Sequence, residues 1–159
     1  MNTMSLKEKL EKLKKAQDQM TPSDWEDYKD AWQNSIKELQ NTVMDNWLIE
    51  YEENNLMEFA IIPTMRIDPY IGEYLTQILE ITLTGNKFIV LEPVTAVTAD
   101  YDGKLEFYMR GNVNKKVNIL RRIIDETKYE WIVGRSYDVK QHYKLDKLQF
   151  ENIIDQWLQ

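Results

Sequence analysis

The sequence has no cysteine, a single histidine, and only five glycines and four prolines. Without cysteine there can be no disulfide framework, no thiolate metal site and no cysteine nucleophile. The one histidine, His142, would have to carry any imidazole triad or metal site, and it stands in DVKQHYKL without a neighbouring ligand pattern. It reads as a loop histidine. HExxH, Gly-x-Ser-x-Gly and a phosphate-cradling glycine loop are all missing. No apolar run approaches the roughly 20 residues that span a bilayer. The first segment is Lys-rich rather than an apolar secretion signal. Together with the lack of cysteine, this leads us to expect a cytoplasmic protein away from membranes.

What is present is a chain of 159 residues, 43% hydrophobic and 30% charged, with five Trp and nine Tyr. That composition suits one packed domain over 1–159 and contains too many aromatics for a disordered segment. The net charge of -7 opposes binding to phosphate backbones, so no nucleic-acid partner is expected, and it favours a basic protein partner. The charge is unevenly placed. Residues 21–60 hold two cations against ten acids, a net -8, whereas residues 103–124 hold six cations against one acid, a net +5. Two such segments either face each other or face water.

Ser5 and Glu8 have capping-box spacing, and Leu6, Leu10, Leu13 and Met20 recur at helical intervals, which predicts a short amphipathic helix. Thr21-Pro22 breaks it and starts another, with Thr21 as cap, Pro22 at the first helical position and Asp24 in the first turn, where the helix dipole favours negative charge. From Trp25, a stripe of Tyr28, Trp32, Ile36, Leu39, Val43 and Trp47 stays within roughly 100° of arc. Asp24, Glu26, Asp27 and Asp30 fall on the other side. The helical part is expected to occupy 1–53, with 22–47 as one rod that hides its rings and shows its carboxylates.

After Asn54-Asn55 the period moves toward 2 and β-branched residues become frequent, which predicts an antiparallel sheet of about five or six strands over 56–137. LMEFAII reads as a strand that ends at Pro63, and TMRIDPYIGEY as a loop bearing Tyr70 and Tyr74. Gly85-Asn86 between two apolar runs suits a type II′ hairpin. Val94 to Ala99 reads as a strand resuming after Pro93, and Asp102-Gly103 as a turn into KLEFYMR, where Leu105, Phe107 and Met109 alternate with polar residues. Residues 115–125 fit either helix or strand; the strand is favoured because YEWIV follows and DETK can close a hairpin. In 146–158, Asp146 and Gln149 have capping-box spacing, Leu145 and Phe150 occupy staple positions, and Phe150, Ile153, Ile154 and Trp157 form one stripe. The fold class is therefore α+β: an N-terminal helical pair, an antiparallel meander, and a C-terminal helix packed on the sheet.

Tests for chemistry assign no catalytic residue, metal ligand or cofactor. Asp100-Tyr101-Asp102-Gly103 opens like a calcium loop but lacks the later ligands and closing Glu. Glu126-Thr127-Lys128 has the acid-x-lysine spacing of metal-dependent nucleases, with Asp100 or Asp102 upstream, yet lies where a turn is expected. Nothing linear brings two of Glu50, Glu80, Glu92 and Glu106 to glycosidase separations. Lys115, Lys116, Arg121 and Arg122 could track a nucleic-acid backbone, against the field of an acidic chain.

The leading expectation is a non-catalytic interaction module whose Asp24, Glu26, Asp27 and Asp30 meet a basic protein, as in an inhibitor or immunity-type antagonist; opposed charge speeds such encounters. The alternative is a small-molecule-binding or enzymatic domain with a pocket lined by Tyr70, Tyr74, Trp131 and Tyr137. A homodimer through the N-terminal helices is a third expectation.

Overall fold

The structure, a computed structural model, describes residues 5–134 and 142–159. Helix α1 (Leu6–Gln19) starts on Ser5, whose Oγ accepts from the Glu8 N–H at 3.1 Å. Helix α2 (Pro22–Thr42) opens on a complete capping box. Thr21 Oγ1 accepts from the Asp24 N–H at 3.1 Å, and the Asp24 carboxylate accepts from the Thr21 N–H at 3.0 Å. A π-helical turn, Val43–Trp47, extends the rod to the predicted end, and after Leu48 a short α3 (Ile49–Glu53) leads into the sheet.

Seven strands follow: β1 (Met57–Asp68), β2 (Gly72–Leu83), β3 (Lys87–Thr95), β4 (Lys104–Met109), β5 (Lys116–Asp125), β6 (Lys128–Gly134) and β7 (Tyr143–Lys144), and then α4 (Lys147–Trp157). They pair antiparallel in sequence order, giving the α+β meander expected, with seven strands rather than five or six. The two-residue β7 is too short to show a period. Residues 116–125 are strand, not helix, and Asp125 pairs with Lys128 across the hairpin.

One register rule organises the sheet. The pairs Leu79↔Leu91, Leu91↔Phe107, Phe107↔Val117 and Ile119↔Val133 keep odd-numbered residues on one face from Leu79 of β2 through β6, whereas in the first half of β2 the even-numbered Tyr74 and Thr76 are the buried ones. That face carries the core. Leu79, Ile81, Ile89, Leu91, Leu105, Phe107 and Ile119 are buried there with Trp32 and Ile36 of α2, Val43 of the π-helical turn, and Phe150, Ile153 and Trp157 of α4. Phe107 stacks on Phe150 at 4.4 Å between centroids, and Trp157 lies 4.9 Å from Phe107. Asp146 caps α4 by accepting from the Gln149 N–H at 2.8 Å, and the staple residues Leu145 and Phe150 are both buried. The even face carries the ion pairs Arg66–Glu92, Arg110–Glu80, Lys116–Glu106 and Arg122–Glu130.

Four local expectations are corrected. β1 does not end at Pro63 but runs on to Asp68, and the stretch from Thr64 to Tyr74, read as a loop, is mostly strand. The Thr84 N–H donates to the Leu56 carbonyl, so even residues of β1 point their backbone groups at β2 and odd ones point them outward. Pro63 is odd; its missing N–H falls on the free edge and removes no ladder bond. The actual turn is at 69–71, where Asp68 Oδ1 accepts from the Tyr70 and Ile71 N–H groups. β3 likewise passes through Pro93 and stops at Thr95, instead of a new strand spanning Val94 to Ala99. Pro93 pairs with Leu105 of β4, but the Arg110 N–H donates to the Phe88 carbonyl, so odd residues of β3 turn their backbone groups toward β2, and the last β2–β3 pair is Leu79↔Leu91; the missing N–H removes no ladder bond. Finally, Gly85 and Asn86 are both at positive φ, +91° and +60°, whereas a type II′ turn requires it only of the first.

Candidate interaction face

α2 divides its two chemistries between two sides, and each side has its own geometry. On the inner side Trp32, Ile36, Leu39 and Val43 are buried, while Trp25 and Tyr28 at the N-terminal end are partly covered. Trp25 meets Tyr28 edge-on and Tyr70, both at 5.5 Å. Trp32 Nε1 donates to Tyr74 Oη at 3.2 Å. Trp32 also lies against Gly103: a Cβ there would come within 2.3 Å of Cζ3, and the backbone is at φ +137°, so only glycine fits.

Beneath α2 lies a polar cluster that sequence reading missed. Arg121, placed with the basic surface residues from sequence, is 1% exposed. Its guanidinium sits 5.2 Å from the Tyr28 ring and 5.0 Å from the Trp32 ring. Nε donates to the Asp102 carbonyl at 2.8 Å and Nη1 to Ser35 Oγ at 3.3 Å, while Nη2 finds no hydrogen-bond acceptor among the described residues. The ring faces therefore carry part of the cation's stabilisation. The Tyr28 hydroxyl reaches the Ala96 carbonyl at 2.7 Å and the Asp102 carbonyl at 2.9 Å. Burial raises its pKa to about 12, with Arg121 opposing and Asp102 adding to the shift. Asp68, also buried, accepts four bonds, from the Tyr70, Ile71 and Ala96 N–H groups and from Thr95 Oγ1. The cluster thus ties residues 95–103 to α2, β1 and β5 through groups that are almost all satisfied.

On the outer side, Asp24, Glu26, Asp27 and Asp30 are all exposed. They are not equivalent. Asp24 is occupied by the capping box, whose bonds from the Thr21 N–H and hydroxyl hold its carboxyl below the usual range. Glu26 faces Lys29 at 3.4 Å on the same helix. Asp27 and Asp30 have no ion pair or side-chain hydrogen bond among the described residues. The cations of β5 do not come to meet them. Lys116 and Arg122 are taken by acids on neighbouring strands, Lys115 Nζ donates to the Trp157 carbonyl, and Arg121 is buried.

The residues expected to line a pocket are separated by the rings of α2. Tyr74 lies on Trp32, Trp131 is 6.3 Å from Trp32, and Tyr70 is on Trp25. Tyr137 falls outside the described residues. Trp131 does line an open cleft of about 490 Å³ with Trp47, Tyr129 and Lys144.

The weaker motifs take structural places. Asp102 Oδ2 accepts from the Ile123 N–H at 2.9 Å. Glu126 and Thr127 form the β5–β6 turn, where Asp125 accepts from the Thr127 N–H at 2.8 Å. His142 Nδ1 lies 2.8 Å from Tyr101 Oη. Among the described residues, no three His, Asp or Glu side chains are grouped to hold a metal ion, and no helix is long and apolar enough to cross a membrane. Comparison of this chain with protein-family models, curated proteins and solved structures finds no match.

Proposed function

We propose that the protein is a non-catalytic interaction module whose α2 face meets a basic protein, in the manner of an inhibitor or immunity-type antagonist. Asp27 and Asp30, with Glu26 beside them, are the contact residues. The observation that carries this reading is that Asp27 and Asp30 project from a helix anchored by its own buried rings, while the cations of β5 are engaged elsewhere. A charged face on a rigid helix is pre-organised, so little ordering opposes association, and the opposed field sets rate and specificity. Asp24 supports the helix start rather than the contact.

The test replaces Glu26 with Gln and Asp27 and Asp30 with Asn, leaving Asp24 in place, and captures partners from the native host's extract by mass spectrometry. A basic protein held by the wild type at low salt, released by raised salt and lost from the variant is the expected result. If every captured protein stays on the variant with unchanged salt sensitivity, the reading fails.

A second reading, a small-molecule-binding domain, is favoured by the cleft at Trp131. A compound that raises the melting temperature of the wild type but not of Lys144→Ala, at the rim of that cleft, would support it over the first.

A further inference from the structure

Helix α1 carries an apolar stripe that no described residue covers. Leu6 is 72% and Leu10 57% exposed, and the ion pair that ties the helix to the body, Lys9–Asp100, spans 4.0 Å at a half-exposed site. Helices of this length are marginal in water unless tertiary packing covers their apolar side. The polar side of α1 is basic, with Lys7, Lys9, Lys12, Lys14 and Lys15 against Glu8, Glu11 and Asp18.

The opposite end of the molecule offers the complementary surface. A cleft of about 290 Å³ opens between the start of β1 and α4, floored by Leu56, Met57, Ile154 and Leu158 and rimmed by Glu151 and Asp155. Leu56 and Leu158 are 49% and 50% exposed. The chain around it is acidic: residues 38–65 hold six acids and no Lys or Arg, and Glu50, Glu52 and Glu53 on α3 are all exposed. The volume is at the small end for a ligand pocket but suits leucine side chains spaced one helical turn apart.

We propose that α1 of one copy lies in this cleft of a second copy, reciprocally, so that Leu6 and Leu10 meet Leu56 and Leu158 while the lysines of α1 face the acids of α3 and α4. The occupant cannot be the same molecule's α1. It departs from the start of α2, and the 22–47 rod spans nearly 40 Å (about 39 Å at 1.5 Å per residue), whereas α1 itself is about 21 Å long. Reciprocal insertion buries both stripes and closes as a two-fold dimer rather than a chain of copies. The inference is independent of the basic-partner reading, because it uses neither Asp27 nor Asp30.

The experiment is sedimentation velocity of the full chain over a range of concentrations, at salt from about 0.05 M to about 0.5 M. A dimer whose dissociation constant rises about tenfold or more across that range is expected. The variants Leu6→Lys/Leu10→Lys and Leu56→Lys/Leu158→Lys should each be monomeric with unchanged far-UV circular dichroism. Mixed together, they should form a heterodimer, because the mixture restores one intact helix-in-cleft contact. Glu53→Lys, wholly on the surface, should weaken the wild-type dimer without touching the cleft floor. A wild type that is monomeric throughout, a dimer that survives either leucine variant, or the absence of a heterodimer in the mixture would each overturn the proposal.

Discussion

At the scale of single residues, the most informative side chain is Arg121. Its cation has two ring faces and two oxygen acceptors but, among the described residues, no carboxylate. Methionine would retain the apolar stem and remove the charge that must be desolvated. Lysine would keep the charge and lose both the planar fork and the stacking. We therefore expect Arg121→Lys to lower the unfolding free energy by more than Arg121→Met, with Arg121→Ala losing about 2–4 kcal/mol through the void it opens. Urea unfolding measures all three, and a silent Arg121→Lys would show that the ring sandwich is immaterial. Tyr28 beside it gives a pH effect. Its folded pKa, raised to about 12, lies above the unfolded value of about 10. The fold thus holds that proton more tightly than the open chain. The resulting stability is complete below pH 10 and is lost as pH rises toward 12. Tyr51, raised to about 12 by its bond to Glu151, and Tyr108, raised to about 12 by burial and by its bond to Glu92, add to the same loss. Tyr28→Phe should flatten, without abolishing, the fall in melting temperature over that range.

At the scale of elements, what the sequence showed depended on how clean its period was. The rod from Pro22 and the closing helix were legible because cap, staple and stripe agreed. KLEFYMR was legible because apolar and polar residues alternate without a break. In KVNILRRII the alternation started by Val117 and Ile119 puts Arg121 inward and Arg122 outward, but apolar Leu120 obscures the phase. Leu120 is buried on the other face, with Tyr101 and Ile132. The one usable signal was therefore masked by a second small core. The prolines misled for a different reason. Proline disfavours a strand only where its N–H would have been paired, and sequence cannot say which edge is free. At Pro63 that edge is the outer side of β1, so the ring also interrupts a row of outward donors available to another chain. Pro63→Val should leave stability within about 0.5 kcal/mol and increase edge-to-edge association. Light scattering of the variant against wild type checks this, and equal scattering would mean that twist rather than proline guards the edge.

At the scale of the whole molecule, the two charged segments have different fates. The positive one is absorbed by the fold: on the sheet's even face Lys116 and Arg122 meet acids on adjacent strands, Arg110 reaches across β3 to Glu80, and α2 covers Arg121. The negative one remains as net charge along the outside of α2 and α3. Within α2, Glu26 and Asp30 stand one turn apart, a like-charge spacing that weakens a helix by about 0.2–0.5 kcal/mol. Asp27 and Asp30 add a second such pair. Lys29 offsets only part of this, through Glu26. A helix selected only for folding would not need that repulsion, and here it is sustained by the buried stripe opposite. If so, salt should stabilise the protein by screening the acids. The melting temperature of the wild type should rise between about 0.05 M and about 0.5 M sodium chloride. Asp27→Asn/Asp30→Asn should start higher at low salt and rise less. A variant that melts lower at low salt would mean that these carboxylates hold the helix together, and a surface that stabilises its own fold has no surplus charge left to present to a partner.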